Sequence, residues 1–145
     1  MHKGNISFNT ENIKFSLTKR KFFKHWILET IKNENQNCGE INFIFCDDEF
    51  LLNINKEYLN HSTLTDIITF DYCEKTDIIS GDIFISIERI TENAKKFKVL
   101  FETELSRVMI HGILHLIGYK DKSKSDKAQM TKKEDYYLTL QSESL

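Results

Sequence analysis

Proline is absent from the 145 residues, and glycine occurs only five times. These shortages exclude collagen-like, mucin-like and proline-rich classes, and leave regular elements joined by short polar turns. Cysteine is also scarce: Cys38, Cys46 and Cys73 are scattered, with no CxxC spacing. An odd set of that kind points to a reducing compartment rather than a disulfide framework. No apolar run approaches the length of a membrane span, so no transmembrane helix is expected. The opening MHKGNISFNTENIKF has no apolar stretch leading to a small-residue cleavage site. No secretory signal is therefore expected, and the expected location is cytoplasmic.

What is present is a substantial apolar complement, 40% of the chain, with eleven phenylalanines. That suffices for the core of one domain over residues 1–145. The formal net charge of −2 disfavours a DNA-coating protein. The charge is nonetheless segregated. Lys14, Lys19, Arg20, Lys21 and Lys24 crowd one stretch, and six lysines stand against two aspartates between Lys120 and Lys133. Two basic ends around an acidic middle can form a phosphate-facing surface, or simply solvated faces.

Read along the chain, ISF (6–8) with IKFSL (13–17) suggests a strand region. A helix is expected from Thr18, its cap, carrying Phe22, Phe23, Trp26, Ile27 and Ile31, with Gly39 as its stop. INFIFC (41–46) reads as a strand, and Asp47 or Asp48 as the cap of a helix carrying Phe50, Leu51, Ile54 and Tyr58. IITFDY (67–72) and DIFISI (82–87) read as strands, with a turn near Lys75 to Asp77 between them. ERITENAKKF opens one helix, a second covers about 102–117 and stops at Gly118, and a last one covers about 125–140 with Ser125 as its cap. The expected class is α+β, a single domain with about four strands and about five helices.

The chemistry concentrates in SRVMIHGILHLIGYKDKSKSD. His111 and His115 stand four apart on the expected helix, which puts both imidazoles on one face, one turn apart. Gly118 lets the chain turn back, and Asp121, six residues after His115, can bring a carboxylate oxygen to the same ion. Two imidazoles and a carboxylate leave a fourth position for water, the layout of a catalytic zinc. The competing interpretation is two partly buried, hydrogen-bonded imidazoles. Their apolar flanks, Ile110, Ile113, Leu114, Leu116 and Ile117, make unpartnered burial costly. Position 112 is glycine, so the glutamate of HExxH is missing and a peptidase is disfavoured. Arg107, four before His111, can hold a phosphate oxygen. Its alternative is a surface salt bridge with Glu102 or Glu104.

HGILHLIGY resembles the HGxLHLxGYDH signature of the YbeY family of bacterial rRNA-maturation endoribonucleases. INKEYLNHSTLTDIITF (54–70) is similar to the family's LNxxYRxKDxPTDVLSF, and GDIFIS (81–86) to its GDI-type strand. The resemblance spans roughly residues 40–135. It implies a zinc-dependent RNase specific for single strands, acting in 16S rRNA 3′-end maturation and ribosome quality control. It also implies a mostly covered four-stranded sheet with a zincin-like HxxxH helix. The implied partners are single-stranded RNA, rRNA and the small ribosomal subunit, with neither DNA nor a membrane. The implied metal residues are His111, His115 and, in place of a third histidine, Asp121. A carboxylate there can shift metal preference toward a harder ion. The family's arginine falls at Leu59 and its lysine at His61. Arg107 and His61 are the candidates for the missing phosphate contact, and Asp66 is expected to shape the cleft. Attack on phosphorus can come from water activated at the ion or from the ribose 2′-OH. Two alternatives stay open: a metal hydrolase with another substrate, and a ribosome assembly factor with a structural metal and little catalysis.

Overall fold

The computed structural model describes residues 4–60, 64–74 and 77–143. Four strands and five helices make up these residues, in the order β1 (Asn5–Glu11), α1 (Arg20–Asn33), β2 (Asn37–Cys46), α2 (Asp48–Leu59), β3 (Ile67–Asp71), β4 (Ile78–Ser86), α3 (Ile87–Phe97), α4 (Phe101–Ile117) and α5 (Lys124–Glu143). The sheet order is β1-β2-β4-β3. β1, β2 and β4 run parallel, and β3 pairs antiparallel on the edge of β4. This is the expected α+β domain.

Period-two alternation sorts each strand into two faces. Ile41, Phe43 and Phe45 of β2, with Ile79, Ile83 and Ile85 of β4, form one face and are almost wholly buried. They pack beneath α1 and α4 with Phe23, Trp26, Ile27, Met109 and Ile113. α2 covers part of the other face, where Leu51 and Ile54 meet Ile68 and Cys46. The rest of that face carries cross-strand hydrogen bonds. Ser7 Oγ donates to Asn42 Oδ1 at 2.6 Å, Asn42 Nδ2 to Asp82 Oδ1 at 2.9 Å, and Tyr72 OH to Asp82 Oδ2 at 3.1 Å.

Several local expectations need correction. Residues 13–17 are not a strand. Asn12 takes a left-handed turn at φ 61°, and the chain then leaves the ladder. Its alternation survives as packing: Leu17 is buried, and the Phe15 ring lies 5.2 Å from that of Phe45. Thr18 does not cap α1; the cap position is Lys19, left-handed at φ 58°, with no side-chain capping bond. Gly39 does not stop α1 but lies within β2; the helix ends at Asn33, and Asn35 is left-handed at φ 61°.

Asp47, not Asp48, caps α2, accepting from Phe50 N at 2.9 Å. Ile87 belongs to α3, because Ser86 ends β4 and caps the helix by accepting from Arg89 N at 3.2 Å. Ser123 rather than Ser125 caps α5. Its hydroxyl accepts from Asp126 N at 3.0 Å, while Asp126 accepts in return from Ser123 N, a reciprocal capping box. The turn expected near Lys75 to Asp77 falls partly outside the described residues.

α4 is the axis of the domain. Ten of its residues, from Glu104 to Leu116, are buried, so it is enclosed on nearly every side. Gly112 makes that seating possible. A Cβ there would lie 2.9 Å from Ile83 Cγ2 and 3.0 Å from Ile67 Cδ1.

Candidate metal centre

His111 and His115 stand one turn apart on the partly exposed side of α4 that also carries Arg107. Their side chains are 19% and 25% exposed. Gly118, at φ 123°, then reverses the chain, with its N–H on the carbonyls of Leu114 and His115 and that of Tyr119 on Leu114. An L side chain rarely adopts that φ. The reversal brings Asp121 Oδ2 to 3.3 Å from Nε2 of each histidine, while the two Nε2 atoms lie 2.9 Å apart. These three residues form the metal-capable cluster found among the described residues.

The other ring nitrogens are fixed. His115 Nδ1 lies 3.0 Å from the Tyr119 carbonyl oxygen, which can only accept, so Nδ1 carries the proton. His111 Nδ1 lies 2.6 Å from Glu134 Oε2. Both rings therefore turn an Nε2 lone pair toward the other and toward a carboxylate oxygen. That arrangement is repulsive unless a proton or a cation sits among the three atoms. A triangle with edges of 2.9 and 3.3 Å matches the reach of an ion bound at about 2.0–2.2 Å to nitrogen and oxygen donors. His115 also lies in the last turn of α4, where the negative end of the helix dipole favours positive charge. The donor set thus fits a divalent ion. Asp121, with 43% of its side chain exposed, sits on the solvent side.

Carboxylates surround the pair. Burial works against a charge on His111, but Glu134, Asp121 and Asp66 outweigh it, and the imidazole holds a proton to higher pH than usual. Burial pushes Asp66 above the ordinary aspartate range, with the His111 charge pulling the other way. Burial also raises Glu104, reinforced by Asp66 and opposed by Arg107.

Arg107 does sit beside the site, but its partners are neither Glu102 nor Glu104. Nη1 donates to Glu134 Oε1 at 2.8 Å and Nη2 to Asp135 Oδ1 at 2.6 Å. Leu59 ends α2 and is 42% exposed. His61 lies outside the described residues. Glu134 and the Tyr119 carbonyl, which orient the imidazoles, were not singled out from sequence. The available signal was an arginine one turn before His111 that needed an acidic partner.

The family model described as endoribonuclease YbeY matches residues 5–141. The chain belongs to the YbeY family. Two curated relatives named endoribonuclease YbeY illustrate the closeness. The Flavobacterium psychrophilum protein is 57% identical over 93% of this chain and 95% of its own length. The Flavobacterium johnsoniae protein is 58% identical over 93% and 96%. The solution structure of a Thermotoga maritima protein superposes with a TM-score of 0.66 at 28% identity, covering 92% of this chain and 87% of that one. Family membership spans the whole metal-capable cluster, since residues 111–121 fall well inside the matched range.

Proposed function

We propose that this chain is a zinc-dependent endoribonuclease that cuts single-stranded RNA. Its setting is 16S rRNA 3′-end maturation and ribosome quality control, in the cytoplasm, with the small ribosomal subunit as partner. One observation carries most of the weight: two imidazoles whose Nδ1 atoms are already committed, and whose Nε2 atoms converge with Asp121 Oδ2, in a chain matched by the YbeY family model.

His111, His115 and Asp121 would hold the ion, which when bound would supply Lewis acidity toward a phosphate oxygen and lower the pKa of water. The chain's own groups do the rest. Glu134 and the Tyr119 carbonyl keep both rings in the ligating tautomer. Asp66, held above the ordinary aspartate range by burial, takes the role of proton donor or acceptor at its carboxyl oxygen. Arg107 acts on His111 through Glu134, and His61 keeps the role of phosphate contact. Lys120, Lys122, Lys124 and Lys127, all exposed, track the RNA backbone and make binding salt-sensitive.

A second reading, an assembly factor with little catalysis, draws on leucine standing at the family's arginine position and on Arg107 being committed to carboxylates. Cleavage of a single-stranded RNA and of its all-2′-deoxy counterpart separates the options. RNA-only cutting supports attack by the 2′-OH, equal cutting of both excludes it, and cutting of neither favours the assembly factor.

A further inference from the structure

We propose that Glu34 is a positioning residue for the metal centre, acting on His115 through the main-chain carbonyl of Tyr119; this rests on the metal-centre reading above. Glu34 stands at the C-cap of α1, where a carboxylate opposes the helix dipole. Local helix chemistry does not account for it. Three donors from elsewhere do. Tyr119 OH reaches Oε1 at 2.6 Å, Lys133 Nζ reaches Oε2 at 3.1 Å, and Tyr137 OH donates to the same Oε2. Its side chain is only 8% exposed.

Tyr119 is thereby pinned at three points. Its N–H is on the Leu114 carbonyl at 3.0 Å, its own carbonyl accepts from His115 Nδ1 at 3.0 Å, and its phenol is on Glu34. Lys133 also sits 5.4 Å from the Tyr119 ring centroid. Only Lys120 separates Tyr119 from Asp121, and the next anchor downstream is the capping box at Ser123. A shift of Tyr119 therefore moves two of the three donors at once: the partner that fixes His115, and the chain carrying Asp121. The third arm, His111 held by Glu134 and Arg107, shares no hydrogen bond with Tyr119, whereas Glu34 also holds Lys133 and Tyr137 of the helix that carries Glu134, so Tyr119→Phe isolates the His115 arm. The consequence is an asymmetry that general destabilisation does not produce.

The test uses the full chain as wild type, Tyr119→Phe and Glu34→Gln. Co2+ affinity is measured by chelator competition and the d–d absorption spectrum is recorded. The imidazole 15N shifts of the metal-free proteins are measured by NMR. Both variants should bind Co2+ about tenfold more weakly, with an altered d–d spectrum. In Tyr119→Phe the His115 shifts should move toward mixed tautomers while those of His111 stay. The double variant should be no weaker than the worse single one, because the two groups act in series. Affinity and His115 shifts equal to wild type overturn the proposal. So does a lower melting temperature with both histidines perturbed alike in Tyr119→Phe. If Glu34→Gln does not fold, Tyr119→Phe, which removes one hydroxyl, decides. A wild type that takes up no metal overturns the metal centre and this proposal together, whereas normal uptake by all variants overturns this proposal alone.

Discussion

Arg107 reaches His111 through Glu134: Nη1 donates to Oε1 at 2.8 Å, and Oε2 lies 2.6 Å from the imidazole Nδ1. A cation, a carboxylate nearly closed off from solvent and an imidazole of the metal-capable cluster thus form one chain across α4 and α5. Glu134→Ala should weaken metal binding by about 10–100-fold, because the His111 tautomer loses its anchor. Arg107→Ala should cost stability, about 1–3 kcal/mol, by leaving the Glu134 carboxylate without its charged donor. Melting curves and metal competition on the two variants separate these effects. Equal metal affinity in Glu134→Ala and wild type would remove Glu134 from the site.

Asp121 offers the third donor from a more exposed position than either histidine. Asp121→Ala should lower metal stoichiometry or affinity. Asp121→His should raise the preference for zinc over manganese, since imidazole suits zinc and carboxylate suits harder ions. Competition between the two metals, measured on wild type and both variants, checks this. An unchanged preference in Asp121→His would place residue 121 outside the coordination shell.

Gly112 lies between His111 and His115, pressed on Ile83 and Ile67. Gly112→Ala gains about 1 kcal/mol of helix propensity but overpacks the interface at a cost of about 1–3 kcal/mol. The Ile83 contact involves a branch methyl, which has little room to retreat. Lower stability by up to about 2 kcal/mol is expected from denaturant unfolding. A more stable variant would mean that α4 is not seated as tightly as described.

Glu34 gives a pH signature. Burial alone would raise its pKa, but the hydrogen bonds from Tyr119, Tyr137 and Lys133 outweigh burial and hold it below the ordinary glutamate value. A lowered folded-state pKa contributes stability that is present above the unfolded value and is lost as pH falls through the folded one. The wild type should therefore lose more stability than Glu34→Gln as pH drops below the usual glutamate range. Parallel acid limbs in the two unfolding profiles would contradict the assignment.

The metal-capable cluster was legible because its residues are local. His111 and His115 share a helix whose period places them together, and Asp121 follows one glycine turn later. What orients them was not legible. Glu134 comes from a different helix and Glu34 from the far end of α1, and no periodicity links either to a histidine. IKFSL misled because alternation reports which side chains turn inward, not whether a neighbouring strand completes the ladder; Asn12 had already turned the chain away. Gly39 looked like a helix stop, yet left-handed Asn35 served that region instead. At α5 the signal was present and misassigned, because Ser123, unlike Ser125, has an acidic residue three positions on.

The most direct test of the central claim is cleavage of a single-stranded RNA by the zinc-loaded protein beside His115→Ala, with metal content determined on both. Endonucleolytic cutting by the wild type, lost together with bound metal in His115→Ala, is the predicted result. Wild type that holds its metal yet leaves every single-stranded and ribosomal RNA intact, or a metal-free His115→Ala that cuts as fast, would contradict it.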